Sequence, residues 1–282
     1  MDPQARLNEI KQLRNLPTLP TVFHKVLAAL DDDKSSAQTL KDAIIHDQSL
    51  SAKVLSVANS AYFSGGKSVD DIADAIVVLG LEMLKSVVLS VSVFKTFPPS
   101  EKGAEFDRES FWLHSILAAN AGKMIAKAAG YANFEQGFLF GLLHDIGKVV
   151  LDHHYHDEYS DVCLDARFNA CPIEVSEQKI LQITHAQVGQ VLGNYWKFPP
   201  ALLDAILYHH TLQNAPEESV VPVAIAHLAD YLADTTGFGN SGTSAKVKYD
   251  SSVLDILKLD ATQVDALQDE LSGNAEQIQS IL

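Results

Sequence analysis

Cysteine is nearly missing from this chain: Cys163 and Cys171 are the only two among 282 residues. One pair in a chain of this length is no disulfide framework, and free thiols in a reducing compartment are the expected state. Basic runs are absent as well. Lys and Arg number 21 against 36 Asp and Glu, a formal net charge of -15. Non-specific nucleic-acid binders draw most of their affinity from phosphate neutralisation by a basic face, so nucleic acid is not an expected partner. Long hydrophobic runs are lacking too. The longest strongly apolar stretch lies near Ser86–Phe94, far short of the roughly 20 residues that a membrane-spanning helix needs. The opening residues, MDPQARLNEIKQLRNLPTLP, do not follow the basic-then-apolar order of a signal peptide. Together these absences predict a soluble, cytoplasmic protein without membrane contact.

What is present is helical periodicity. Hydrophobic residues make up 47% of the chain and charged residues 20%, enough for one large or two small domains. Apolar residues recur at three- and four-residue spacing in Val22–Leu30, Leu40–Ile45, Leu50–Ala58, Ile72–Leu79 and Leu81–Phe94. Ser35 and Ser36 after three aspartates mark a helix start, Gly65-Gly66 a loop, and Gly80 a break between two helices. Val87–Val93 (VVLSVSV) alternates like a strand, but its LGLEMLK flank is helical and the whole reads as a buried helix. A boundary falls at Pro98-Pro99-Ser100 and Glu101-Lys102-Gly103. Helices are then expected at Phe111–Ala129, Gln136–Val150, His185–Trp196, Ala201–His209 (entered through Pro199-Pro200) and Val223–Ala233. Thr235–Lys246 has the composition of a flexible loop, and Ser251–Leu282 that of amphipathic helices that dock on the body or form a dimer contact. The fold class is therefore all-α. It divides into a helical bundle over 1–100, a helical core over 101–236, and a loop with tail helices over 237–282.

The chemistry concentrates in Leu142–Lys148, LLHDIGK. Imidazole and carboxylate both ligate first-row transition metals. Neighbouring side chains on a helix diverge by about 100°, but a short Asp145 and a longer His144 can still converge on an ion beside it. Alone, such a pair reads equally well as a helix cap. Further positions strengthen the metal reading: His114 in FWLHS, His185 in THAQVG, the pair His209-His210, and Asp230 in HLADYL. Each lies in an apolar helical stretch, where a polar side chain needs a partner to be tolerated. For His185 a plain helix-start role is the alternative. His153-His154-Tyr155-His156, among Asp152, Asp157 and Glu158, reads as a solvated helix face. His227, three residues before Asp230, reads as a core or surface histidine ahead of a supporting partner to the site. His24 and His46 read as structural. Asn59 and Tyr62-Phe63 read as cap and core packing at a helix end.

The order His114, His144-Asp145, His185, His209-His210, Asp230 resembles the HD superfamily of metal-dependent phosphohydrolases, and most closely its HD-GYP branch. The segments LPTLPTVFHKVL, HDQSLSAKVLSVANSAYFS and IADAIVVLGLEMLKSVVLS resemble the narrower HDOD family of bacterial signalling-output domains, from about Leu16 to Leu232. The resemblance implies an HD-type core holding two divalent transition-metal ions, chosen among Fe, Mn, Ni and Zn. His114, His144, Asp145 and Asp230 would hold one. Asp145 would bridge to a second held by His185, His209 and His210. In a catalytic version of the site the ions would activate water against a phosphoester, and Lys148 would steady a phosphate oxygen. One departure matters: Thr211–Ser219, TLQNAPEES, stands where HD-GYP proteins carry their Gly-Tyr-Pro loop, which speaks against cyclic di-GMP hydrolysis. The expected function is a metal-binding signalling regulator with a regulatory protein partner, and with a nucleotide or cyclic dinucleotide as ligand. The alternative is a metal-dependent phosphohydrolase acting on the same class of compound.

Overall fold

A computed structural model describes residues 18–30, 37–60, 68–97, 104–243 and 248–279. Ser35-Ser36, Gly65-Gly66, Tyr62-Phe63 and the Pro98–Gly103 boundary lie outside them. No strand occurs among the described residues. The chain divides into two compact units, one of residues 104–275 and one of residues 18–97 together with 276–279.

The smaller unit is built from α1 (Thr21–Leu30), α2 (Ala37–Ile45), α3 (Gln48–Ala58) and α4 (Ile72–Thr96). Asp47 caps α3 by accepting the Leu50 N–H at 2.9 Å, and Asp71 caps α4 through Asp74, each satisfying a first-turn amide that has no helical partner. Asn59 acts as a bracket at the end of α3. Its amide oxygen accepts the Val69 N–H at 2.8 Å and its amide nitrogen donates to the Val69 carbonyl at 2.7 Å. Gly80 breaks the regular helix inside α4 with φ 74°, a conformation that costs a residue with a Cβ but not glycine. The ambiguous 87–93 stretch is helical and buried. Its serines are tolerated there because Ser90 and Ser92 donate to the carbonyls of Ser86 and Val88 one turn back. Among the described residues no single helix is long and apolar enough to cross a membrane.

The larger unit contains α5 (Arg108–Ala128), α6 (Gln136–Leu143), α7 (Ile146–His154), α8 (His156–Asn169), α9 (Ile173–Ile180), α10 (His185–Tyr195), α11 (Pro200–Tyr208), α12 (Val220–Thr235), α13 (Ser252–Leu257) and α14 (Ala261–Gly273). Helix α5 packs on α6 and α12, α7 on α10, α8 on α9, and α11 between α10 and α12. Close approach sets this packing. A Cβ on Gly141 would fall on the Ala118 carbonyl of α5, and one on Gly147 on the His185 carbonyl at the start of α10. The two glycines on either side of the His-Asp pair thus let two neighbouring backbones approach it.

One expectation is corrected here. Gln136–Val150 is not one helix: α6 ends at Leu143 and α7 begins at Ile146, with Asp145 at φ -100°, ψ 7° between them. The break frees His144 and Asp145 from the divergence that a continuous helix would impose. Helices α8 and α9 fill the stretch before His185. The Thr211–Ser219 segment forms two short 3₁₀ turns, Leu212–Asn214 and Glu217–Ser219.

Candidate metal centre

The seven residues singled out as ligands converge in the larger unit as two groups that share Asp145. His114, His144, Asp145 and Asp230 form one, and Asp145, His185, His209 and His210 the other. Within each group one ligand atom per residue lies within 4.8 Å of all the others. Two atoms on opposite sides of one ion, each bonded at about 2.1 Å, are separated by little less. Asp145 presents one oxygen to each group. Its Oδ1 lies 3.0 Å from His185 Nε2 and 3.5 Å from His209 Nε2, while Oδ2 lies 3.3 Å from His144 Nε2 and 3.9 Å from His114 Nε2. Asp230 Oδ1 stands 3.2 Å from Nε2 of both His114 and His144.

Backbone and carboxylate partners decide which nitrogen of each ring faces inward. His144 Nδ1 lies 2.7 Å from the Gly141 carbonyl, and His209 Nδ1 lies 2.8 Å from the Ile206 carbonyl. A carbonyl only accepts, so both rings carry their proton on Nδ1 and turn Nε2 toward the centre. His185 Nδ1 donates to Glu177 Oε2 at 2.7 Å, and the same oxygen accepts the His185 backbone N–H at 2.8 Å. The other Glu177 oxygen accepts from Tyr159. His114 Nδ1 lies 3.2 Å from Asp234 Oδ1. A ring held by one nitrogen and presented by the other is the support found around metal-ligating histidines.

The residues fit a divalent cation on a second count. Nε2 of buried His114 and Oδ1 of buried Asp145 have no aligned hydrogen-bond partner. His209 Nε2 and Asp145 Oδ1 bring two lone pairs within 3.5 Å. Buried acceptors without donors are costly, and a cation between them removes the cost.

Electrostatics point the same way. Burial pulls the His114 imidazole down, but Asp234 and Asp230 outweigh it and push it up to about 9. Burial likewise opposes, and Asp145 and Asp230 override, a rise of His144 to about 10. For His185, burial is overcome chiefly by Glu177, with the value raised to about 9. Burial lowers His209 to about 4, and burial with the neighbouring rings of His209 and His185 holds His210 well below its ordinary value. Burial would raise Asp145, yet His144, Lys148 and His185 keep it well below the carboxylate range. The site is thus a set of carboxylates and imidazoles that attracts positive charge and holds protons where an ion would displace them.

Lys148 is buried and donates to Asp145 Oδ2 and, at 2.9 Å, to the Ser241 carbonyl. The structure therefore places it against the shared carboxylate. Asp152 departs from the solvated face read for its neighbourhood: it is buried, paired with Arg108 Nε at 2.6 Å and bonded to His156. His153 is exposed, as that reading has it. His227 is likewise corrected. Its Nδ1 lies 2.6 Å from the His209 carbonyl, so it supports the site's backbone. Sequence reasoning missed Glu177, Asp234 and Tyr159. Asp234 had a usable signal, lying one turn beyond Asp230 on the same helix face. Glu177 had none, because its helix contacts the site only in three dimensions.

The HDOD domain family matches residues 16–212 of this sequence. The chain belongs to the HDOD family. Its fold is shared with the crystal structure of an HDOD domain protein of unknown function from Geobacter sulfurreducens, at 25% identity and a TM-score of 0.80 over 98% of this chain and 99% of that one. A candidate signal transduction protein from Marinobacter aquaeolei VT8 matches with a TM-score of 0.79 and 22% identity, over 98% of this chain and 64% of that one. An uncharacterised protein of Treponema pallidum (strain Nichols) is 25% identical over 208 residues, which is 73% of this chain and 40% of that protein. The HDOD chain therefore spans well under half the length of that relative. Asp230, Asp234 and Ser241 lie beyond the residues that the family match covers.

Proposed function

We propose that this HDOD protein is a metal-binding signalling module. Its HD-type core would hold two divalent transition-metal ions, one through His114, His144, Asp145 and Asp230 and one through Asp145, His185, His209 and His210. The observation that carries this reading is the shared carboxylate of Asp145, buried and with one oxygen turned to each histidine group. The supporting carbonyls of Gly141 and Ile206 and the Glu177 carboxylate add to it, since they fix Nε2 inward at a cost in freedom that a mere packing role would not repay.

The module relays its metal or ligand state to a regulatory protein partner, with a nucleotide or cyclic dinucleotide as the ligand class. The placement of Lys148 supports relay over turnover. A lysine serving as a phosphate ligand needs a free ammonium, whereas here it is buried and engaged by Asp145 and the Ser241 carbonyl. A metal-dependent phosphohydrolase is the second reading, favoured by the placement of one carboxylate between two ligand groups, as in two-metal hydrolytic sites. Ions there would supply Lewis acidity and lower the pKa of a water ligand. His144 and His185 would then be held in orientation by Gly141 and Glu177 while Asp145 kept the two groups in register.

Elemental analysis of the purified protein tests the proposal, with Asp145→Ala as the comparison. About two transition-metal ions per chain, lost in the variant, are expected from the two ligand groups. No metal above background in either protein would end it. Turnover of phosphoesters by the loaded protein, abolished by Asp145→Ala, would favour the hydrolase over the relay.

A further inference from the structure

His227 joins the paired histidines to the segment that leads into the tail helices. Its two ring nitrogens have separate partners. Nδ1 meets the His209 carbonyl at 2.6 Å, and Nε2 accepts the backbone N–H of Asp250 at 2.9 Å. Both partners fix the same tautomer, because a carbonyl can only accept and an amide N–H can only donate. The His209 carbonyl is the peptide link to His210, so the bond acts on the backbone that carries both rings.

The far side of the bridge is itself anchored. Asp250 starts α13: its side chain accepts the Ser252 N–H at 2.9 Å and its carbonyl accepts the Val253 N–H at 3.1 Å. The preceding Tyr249 ring meets Tyr231 of α12 edge-on, with centroids 4.9 Å apart, and α13 packs on α12. A second described stretch of the same connection reaches the other ligand group, where Asn240 N–H bonds the Ser110 carbonyl and the Ser241 carbonyl accepts from Lys148. Composition makes Thr235–Lys246 a flexible loop, yet Asn240 and Ser241 within it bond to Ser110 of α5, the helix of His114, and to Lys148 beside Asp145.

We propose that His227 is a positioning residue that couples occupancy of the paired-histidine group to the order of the segment from Lys248 to Leu257. This inference rests on the metal-binding reading above. A bound ion fixes the His209-His210 backbone, and His227 transmits that restraint to the Asp250 amide. By reciprocity, a partner that displaces α13 weakens the metal at that group by the same factor. The tail helices thereby become the place where a partner reads or sets the state of the core.

Hydrogen exchange on the full chain, metal-free and loaded with Mn²⁺ or Zn²⁺, tests the coupling. Loading slows exchange over residues 248–257 by about tenfold, within the usual range of couplings between sites. His227→Asn keeps a donor toward the His209 carbonyl and loses the acceptor for Asp250. In that variant metal still binds and still protects α5, but the protection of 248–257 is lost. His227→Phe loses both bonds and also weakens metal binding. Metal that binds the unaltered protein without slowing 248–257 overturns the coupling and leaves the metal reading intact, as does full protection of that segment in His227→Asn. Failure of the unaltered protein to bind either metal overturns both.

Discussion

Single residues set the quality of this site more than its existence. Glu177 holds His185 by ring and backbone together, so Glu177→Gln leaves the ligands in place but lowers metal affinity, by roughly 10–100-fold as for other supporting partners. Competition with a chromophoric chelator reads this directly. Affinity also falls with acidity. His114, His144 and His185 hold protons with values raised to about 9, 10 and 9. An ion must displace those protons, so binding strengthens as pH rises toward those values and weakens below them, with proton release visible calorimetrically in buffers of different ionisation enthalpy. The buried Arg108–Asp152 pair belongs to the frame around the centre. Arg108→Ala leaves the buried Asp152 carboxylate with only His156 as a partner and should cost about 3 kcal/mol in urea unfolding, while replacing both Arg108 and Asp152 by apolar residues should recover much of that.

At the level of elements, the break between α6 and α7 lets the neighbouring His144 and Asp145 both face the centre. It depends on backbones that approach closely at Gly141 and Gly147. Gly141→Ala puts a methyl group onto the Ala118 carbonyl and is expected to lower stability by about 1–3 kcal/mol through overpacking, with weaker metal binding because the same residue's carbonyl holds His144. Gly80→Ala is a useful contrast. Nothing lies near its would-be Cβ, so only backbone strain acts: φ 74°, ψ 162° is a conformation essentially reserved for glycine, at about 1–3 kcal/mol for another residue, and metal binding should not change. Periodicity in the sequence found most helices, including the awkward 87–93 stretch and the break at Gly80. It missed the break at Asp145 because apolar spacing continues through it, and it missed α8 and α9, whose polar faces dilute the pattern.

For the whole molecule, candidate ligands spread from His114 to Asp230 mean that the proposed metal binding would be linked to folding of the larger unit. Metal at one hundred times its dissociation constant should add about 2.7 kcal/mol to that unit, seen as a rise in its melting temperature that a chelator reverses. The sequence by itself determined the all-helical class and the HDOD membership, and it singled out the seven residues that the structure brings together in two groups, because helix period and side-chain chemistry are local properties of residue type and order. It could not determine that Lys148 is engaged rather than free, or that Glu177, Asp234 and His227 support the histidines. Those depend on which side chains from distant elements meet in one buried volume, where each unpaired donor or acceptor must find its partner, and only the tertiary structure decided that.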